Sequence, residues 1–403
     1  MNSPLLHNRL QVAESTSLKM TIPNGVNETS TAPWRIYLYG AGFSAGRHAI
    51  AAGMLEPNVQ LFAADPTKEA REAFLAKFPH ATVYDDAEAM LASSPGQDHD
   101  IVVIAVPPWL HHSATLSAFR SNRHVLCEKP IARTGVEMAD MLAASDSSGR
   151  LFSECSYRYL DNGALDRARE LIKTGGVGSL YHARFVTRQP RSRPGIEYQP
   201  ESKWFLQKEK SGGGIIFDWG VYDFTMLFDV LRPVAATVHR AWVATPRTGV
   251  DPADSTISVE THAGAALSLT LEDGNVIPFD WERASGFHGE PEATLNVDGI
   301  GGGLTWEWVP KFDYKDEVDA LEQGFRLKHY VDVNGKVETK EEVFPGFGWE
   351  DANLRPLLAF VDLVKGRDSV ALTRNRLEFN FALLSAIYKC AADGKQVEVK
   401  MAM

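Results

Sequence analysis

The chain has 403 residues, 44% of them hydrophobic and 23% charged, which is typical of a globular protein with two or three domains. Its net charge of −11 argues against nucleic acid or an anionic membrane surface as the main partner. The three cysteines form neither a disulfide framework nor a CxxC metal pair, and no apolar run is long enough to span a membrane. We therefore expect a cytoplasmic protein.

Residues 1–33 are rich in Ser, Thr, Asn and Pro and show no hydrophobic period. They lack the charged start and long apolar core of a secretory signal. This composition predicts a flexible leader. An ordered arm that wraps a neighbouring subunit is the alternative.

Strands and helices alternate from residue 34 onward. WRIYLY (34–39), VQLFAAD (59–65) and DIVVIAVPP (100–108) have the character of buried strands, and RHVLCEKP is a further strand that ends at Pro130. Helical patterns separate them. This alternation predicts a doubly wound parallel sheet, a Rossmann domain, over residues 34–155.

The pattern changes after about residue 155. ATVHRAWVAT, STISVETHA, ALSLTLED and EATLNVDG alternate apolar and polar residues, which favours a large, mostly antiparallel sheet. One helix is predicted near residues 218–231 and two more near the carboxyl terminus. The predicted fold is therefore α/β, an N-terminal Rossmann domain followed by an α+β domain over 156–403 for substrate binding and oligomerisation.

A glycine-rich turn follows the first predicted strand. GAGFSA (residues 40–45) fits GxGxx(G/A) and precedes a helix, so backbone N–H groups and the helix N-terminus could hold a pyrophosphate. An acid at the end of the second strand suits a ribose with a free 2′-hydroxyl, which favours NAD over NADP. A chance turn and a helix-capping aspartate are the alternative. The cofactor candidates here are Gly40, Gly42, Phe43, Ser44, Ala45 and Asp65.

Three further motifs follow strands or open a helix. Pro107-Pro108-Trp109-Leu110-His111 and Glu128-Lys129-Pro130 each follow a predicted parallel strand, where open α/β sheets bind ligands. SGGG then precedes Asp218 and Tyr222. In this order the residues resemble the glucose–fructose oxidoreductase/inositol dehydrogenase/MocA family, over about residues 34–230.

The resemblance implies roles one position at a time. Pro107, Pro108 and His111 would line the nicotinamide ribose, Glu128 would hold the nicotinamide side, and Lys129 would reach the substrate hydroxyl. The family resemblance also implies a homo-oligomer, a dimer or tetramer, whose subunits bury an open sheet face.

The proton-transfer residues depart from the commoner family pattern. Asp218 matches the acid of a D-x-x-x-H pair, but position 222 is tyrosine, as in the glucose–fructose oxidoreductase branch. A free tyrosine has a pKa near 10, and a nearby ammonium such as Lys129 would lower it. We expect Lys129, Tyr222 and Asp218 to be catalytic and to contact substrate. The alternatives are a surface lysine, a helix N-cap and a core aromatic.

Two more residues are substrate-binding candidates. Arg158 lies where the second domain begins, and Trp204 precedes the SGGG turn. An ion pair for Arg158 and core packing for Trp204 are the alternatives. No metal is expected, because His111 and His112 lack other ligands at a suitable spacing.

These features together predict an NAD-dependent oxidoreductase acting on a ring hydroxyl of a sugar, cyclitol or glycoside. A glycoside-cleaving enzyme that retains NAD and oxidises the sugar transiently would use the same residues. A non-catalytic sensor of dinucleotide or sugar is the third possibility, and the presence of Lys129 argues against it.

Overall fold

The computed structural model describes residues 33–55, 59–189, 202–246, 256–285, 287–309, 324–347 and 349–402. The predicted leader lies outside the described residues except for Pro33. In the described part of the chain, no helix is long and apolar enough to cross a membrane.

Six parallel strands form the first sheet, in the order β3-β2-β1-β4-β5-β6. The order reverses between β1 and β4, which creates a crevice at the carboxyl ends of these strands. The Rossmann prediction is therefore confirmed. The strands are β1 (Arg35–Tyr39), β2 (Gln60–Ala64), β3 (Thr82–Tyr84), β4 (Asp100–Ile104), β5 (His124–Cys127) and β6 (Phe152–Glu154).

Helices connect these strands and cover the sheet. As a result, β4 and β5 are buried along their whole length. In chain order they are α1 (Phe43–Leu55), α2 (Lys68–Lys77), α3 (Ala87–Ala92), α4 (His111–Arg120) and α5 (Gly135–Ser148). A short 3₁₀ turn, Pro108–Leu110, precedes α4, and another, Cys155–Tyr159, follows β6.

Among the described residues, nine strands form the second sheet, in the order β14-β13-β12-β11-β7-β10-β9-β8-β15. Only β7 and β10 pair in parallel among its described strands, so the mostly antiparallel prediction is confirmed. The strands are β7 (Leu180–Gln189), β8 (Pro233–Ala244), β9 (His262–Leu271), β10 (Val276–Ser285), β11 (Glu292–Gly299), β12 (Gly302–Val309), β13 (Gly324–Val333), β14 (Lys336–Pro345) and β15 (Val397–Lys400).

Five α-helices accompany the second sheet in the described part of the chain. They are α6 (Gly163–Lys173), α7 (Lys208–Ser211), α8 (Val221–Leu231), α9 (Trp349–Val364) and α10 (Arg374–Asp393). Helix α8 is buried on nearly every side, which explains its continuous apolar sequence. A single π-helical turn, Ile216–Gly220, leads into it.

The predicted strand STISVETHA is wrong over most of its length. Residues 256–261 are irregular, and β9 begins only at His262. The apolar alternation arises because Ile257 and Val259 bury their side chains against Leu206. Strands β10 and β12–β14 have no counterpart among the predicted stretches.

The carboxyl edge of the first sheet holds a buried acid that sequence reasoning does not single out. Glu154 ends β6, pairs in register with Cys127 and is 2% exposed. Burial raises the pKa of its carboxyl to about 7, although a hydrogen bond involving Ser156 opposes the shift. Glu154 therefore holds its proton up to near neutral pH in the folded protein.

Replacing Glu154 by glutamine removes this titration and keeps the shape of the side chain. An unfolded glutamate ionises near 4.5, whereas folded Glu154 does so near 7. The contribution of Glu154 to the free energy of unfolding of the wild type is therefore fully present below about pH 4.5, and it is lost as the pH rises through about 7. We expect Glu154→Gln to gain stability relative to the wild type over that window, measured as the urea midpoint.

The matched control is Glu69→Gln, an exposed glutamate on α2. A difference between Glu154→Gln and wild type that does not change with pH would show that Glu154 is not the titrating group.

Candidate active site

The glycine turn lies in the crevice between β1 and β4. Gly40 has φ +110°, and a Cβ there would meet the Ala105 carbonyl oxygen at 2.7 Å, so only glycine fits. A Cβ on Gly42 would meet nothing within 4 Å, which leaves open space beside the helix N-terminus. Ala45 is fully buried where α1 packs on the sheet. The turn therefore leaves open space at the N-terminus of α1, where an anionic group is stabilised.

The ribose candidate, Asp65, has two local roles. Its Oδ2 accepts a hydrogen bond from the Ala41 N–H at 3.1 Å, and its Oδ1 accepts one from the Thr67 N–H at 2.9 Å. The carboxylate therefore lies beside the glycine turn and also organises the start of α2. Both sequence interpretations of Asp65 are compatible with this geometry.

The segment after β4 reaches the centre of the crevice. Pro108 lines a small cavity together with Pro130, Trp204 and Asp218. The ring nitrogens of His111 lie 2.8 Å from the carbonyl oxygens of Val106 and Pro130, and burial lowers the pKa of its imidazole. His111 thus ties two strand-end loops together, and its predicted contact with the nicotinamide ribose stays a prediction.

Glu128 is the most heavily bonded carboxylate of the crevice. His48 Nε2 lies 3.0 Å from its Oε1, and Arg158 Nη2 lies 3.1 and 2.9 Å from its two oxygens. Burial raises the pKa of this carboxyl, but the charge of Arg158 and the hydrogen bond from His48 outweigh it, so the net pKa lies well below its usual range. Glu128 is therefore ionised and can only accept hydrogen bonds.

The same place contains a set of possible metal ligands. Nitrogen, oxygen and sulfur atoms of His48, Glu128 and Cys155 lie within 4.8 Å of one another. Both oxygens of Glu128 are already bonded to the Arg158 cation. A divalent ion would face that positive charge, so we assign no metal here.

Lys129 reaches across to the C-terminal domain. Its Nζ donates hydrogen bonds to the Asp218 carbonyl oxygen at 3.2 Å and to Asp218 Oδ1. Both side chains are largely buried, at 11% and 8% exposure. The other carboxylate oxygen, Asp218 Oδ2, is buried and has no hydrogen-bond partner among the described residues. A buried, unpaired acceptor is costly unless a ligand supplies a donor.

The SGGG turn places Asp218. The carboxylate of Glu260 accepts hydrogen bonds from the Gly214 and Ile216 N–H groups at 3.1 Å, and the Tyr388 hydroxyl also donates to it. A Cβ on Gly214 would lie 2.0 Å from the Glu260 carbonyl oxygen, so glycine is required there. The turn continues into the π-helical residues that carry Asp218.

Tyr222 lies beside this pair, but its phenol is not activated. Lys129 Nζ and Arg158 Cζ each lie 5.5 Å from the centroid of its ring, which is 3% exposed. Burial raises the pKa of Tyr222 well above its usual range, and the opposing cation is Arg158. The expectation that Lys129 lowers this pKa is therefore wrong for the protein alone.

The two substrate candidates lie in different surroundings. Arg158 is 6% exposed and donates to the Cys155 carbonyl oxygen and the Asn353 side chain as well as to Glu128. Arg158 therefore serves mainly to bind the Glu128 carboxylate, rather than to donate a hydrogen bond to the substrate. Trp204 is half-buried, stacks on Phe205 with centroids 3.8 Å apart, and lines the cavity beside Asp218.

Sequence reasoning missed several residues that hold this site: His48, Glu260, Asn353 and Tyr388. His48 could have been noticed, because it lies on the buried face of the helix that follows the glycine turn. The others come from segments distant in sequence, and no local pattern marks them.

Comparison with known proteins agrees with this geometry. The model described as "Oxidoreductase family, NAD-binding Rossmann fold" matches residues 34–155, and the "GFO/IDH/MocA C-terminal domain" model matches residues 165–305. A D-glucoside 3-dehydrogenase from Escherichia coli (strain K12) is 25% identical over 391 residues, covering 92% of this chain and 99% of that protein.

Two further comparisons involve a levoglucosan dehydrogenase. The protein of that name from Pseudarthrobacter phenanthrenivorans (strain DSM 18606 / JCM 16027 / LMG 23796 / Sphe3) is 26% identical over 214 residues, covering 52% of this chain and 53% of that protein. A solved levoglucosan dehydrogenase in complex with NADH and levoglucosan superposes with a TM-score of 0.70 at 19% identity, covering 91% of this chain and all of that one. With both family models matched in order over more than half of its length, the chain belongs to the glucose–fructose oxidoreductase/inositol dehydrogenase/MocA family of oxidoreductases.

Proposed function

We propose that the protein is an NAD-dependent oxidoreductase that interconverts a ring hydroxyl and a ketone on a sugar, cyclitol or glycoside. The observation that carries this proposal is the buried pairing of Lys129 with Asp218 beside Tyr222, in the crevice next to the glycine turn. The D-glucoside 3-dehydrogenase matches along nearly the whole chain, which supports a glycoside as the substrate.

The residues of the crevice fit a dinucleotide. The open space at Gly42 and the N-terminus of α1 would hold the pyrophosphate, Asp65 the adenosine ribose, and Pro108 one side of the nicotinamide. The cofactor supplies a hydride acceptor or donor when it is bound. The protein must then orient the alcohol carbon and manage the proton of its hydroxyl.

We assign that proton to the Lys129–Asp218 pair. Asp218 Oδ2 is a buried acceptor with an unused lone pair, so a substrate hydroxyl can donate to it. Lys129 already donates to the other oxygen of the same carboxylate, so it keeps its protons and holds Asp218 in place, and the hydroxyl proton passes to Asp218 Oδ2. Tyr222 keeps its proton, because burial raises its pKa, and it acts as a neutral hydrogen-bond donor to the substrate oxygen.

The remaining family expectations belong to the same proposal. We infer a homo-oligomer, a dimer or tetramer, that works in the cytoplasm. Neither a glycoside-cleaving activity nor a sensor role is favoured by any described contact. A sensor has no need of a buried lysine–aspartate pair in its crevice.

The preference for NAD depends on the charge of Asp65. Its carboxylate lies beside the glycine turn, so it repels a 2′-phosphate there. We expect Asp65→Ser to narrow the ratio of NAD to NADP affinity by about fivefold or more, measured by calorimetry. Asp85→Ser, an exposed acid just after β3, is the matched control. Equal affinity of the wild type for NAD and NADP would contradict the role of Asp65.

The proton assignment predicts graded losses of turnover. Lys129→Met should lower kcat by about 10²–10⁴-fold, because the cation that holds the proton acceptor Asp218 in place is removed. Tyr222→Phe should lower it by about 10²–10³-fold, because one donor to the reacting oxygen is lost. The measurement is NADH absorbance with a panel of sugars and glycosides.

The shape of the pH–rate profile separates a neutral donor from a phenolate base. Burial holds the pKa of Tyr222 far above neutrality. Tyr222→Phe should therefore keep the shape of the wild-type pH–rate profile, with a lower rate at every pH. Loss of one limb of the profile in that variant would show instead that Tyr222 titrates in the reaction. Tyr181→Phe, an exposed tyrosine on β7, is the control for the substitution itself.

A further inference from the structure

His48 connects the glycine-turn helix to the catalytic lysine. It lies on α1, five residues after the start of that helix, and it is 1% exposed. Its Nε2 lies 3.0 Å from Glu128 Oε1. The next residue along the chain from Glu128 is Lys129, whose own N–H donates to Glu128 Oε2 at 3.2 Å.

The direction of the hydrogen bond follows from the charges. Ionised Glu128 can only accept, so His48 Nε2 must carry a hydrogen and donate it. His48 Nδ1 is buried and has no hydrogen-bond partner among the described residues. A neutral imidazole with its hydrogen on Nε2 satisfies this arrangement, because a hydrogen on Nδ1 would be buried without an acceptor.

Arg158 holds the same carboxylate from the other side. It follows β6 and is anchored to Asn353 of α9, so it belongs to the part of the chain that packs on the C-terminal domain. Arg158 and His48 both lower the pKa of Glu128, but only the bond from His48 ties its carboxylate to α1 among the hydrogen bonds described for Glu128.

We propose that His48 is a positioning residue. Through Glu128, it holds Lys129 in a fixed position relative to α1, the helix expected to bind the cofactor. The inference rests on the proposed function. It assigns His48 no proton transfer, because its Nε2 contacts Glu128 and Cys155, its Nδ1 has no hydrogen-bond partner among the described residues, and neither nitrogen leads to Asp218 or the cavity that Asp218 lines.

The test compares His48→Leu, which removes the donor, with His48→Gln, which can replace it with an amide N–H. We expect His48→Leu to lower kcat by about 10- to 100-fold, the effect of losing one hydrogen bond to a charged group. KM and the dissociation constant for NAD should change by less than about threefold, and His48→Gln should recover most of kcat with an unchanged pH profile.

A second readout needs neither cofactor nor substrate. Hydrogen exchange of the cofactor-free protein, followed by mass spectrometry, should be faster in the peptide that spans residues 128–133 of His48→Leu than in wild type or His48→Gln. This arm distinguishes the two proposals. A wild type that oxidises no sugar or glycoside would refute the proposed function, while slower or equal exchange in His48→Leu would refute the positioning role.

The matched control is His124→Leu. His124 is also buried and lies at the opposite end of β5, where it bonds the Asp98 carbonyl oxygen and the Leu151 N–H. The His124→Leu variant should have a lower unfolding temperature than the wild type and an unchanged kcat. A similar kcat loss in both variants would reduce the role of His48 to general stability.

One measurement on the wild type covers the case in which His48→Leu does not fold. ¹⁵N nuclear magnetic resonance of the histidine rings, with His48 assigned from the spectrum of His48→Gln, should show a neutral ring with its hydrogen on Nε2. A hydrogen on Nδ1, or a pH profile that loses a limb in His48→Gln, would overturn the proposal.

Discussion

One buried negative charge organises the crevice. Glu128 cannot remain ionised at 9% exposure without partners, and the chain supplies them from both sides, His48 from α1 and Arg158 from the segment after β6. Removing one partner of such a group leaves a charge uncompensated, which is far more costly than the pair is stabilising. The backbone around Glu128 is thereby fixed, and this also fixes the backbone position of the next residue, Lys129.

A second buried carboxylate does the same for the other half of the site. Glu260 collects the N–H groups of the SGGG turn, so the π-helical turn that follows leaves Asp218 facing Lys129. Of the three described carboxylates Glu128, Glu260 and Asp218, Asp218 alone has a buried oxygen without a hydrogen-bond partner. Both oxygens of Glu128 and of Glu260 accept hydrogen bonds from the protein, whereas Asp218 Oδ2 is left for a ligand.

The sequence predicted the parts of this arrangement that depend on local pattern. The glycine turn and the strand ends each have a short-range signature, so the place of Gly40 and Lys129 at the carboxyl ends of the strands could be predicted before any coordinates were known. The roles predicted for Lys129 and Asp218 came from the family resemblance. Asp218 and Tyr222 are four residues apart, a spacing that puts two residues on one face of a regular α-helix, but a π turn precedes α8 and changes that geometry.

The remaining features of the site depend on contacts between segments that are distant in sequence, and no local pattern predicts them. Glu260 lies in a stretch whose alternation resembles a strand, yet its apolar residues anchor an irregular segment that delivers the carboxylate to the turn. The state of Tyr222 depends on how deeply its ring is buried, and desolvation outweighs the nearby cations. Burial of this kind is a property of the assembled fold and could not be read from residue types.

The central step of the proposed function is direct transfer of hydrogen from a sugar ring carbon to the cofactor in this crevice. The most direct test is a single turnover with NAD and a D-glucoside deuterated at its ring carbons, followed by mass spectrometry of the nicotinamide product. We expect NADH that carries one deuterium, and a ketone on the sugar ring. Bound NAD that stays oxidised with every sugar and glycoside tried, or NADH that forms without deuterium, would contradict the proposed function.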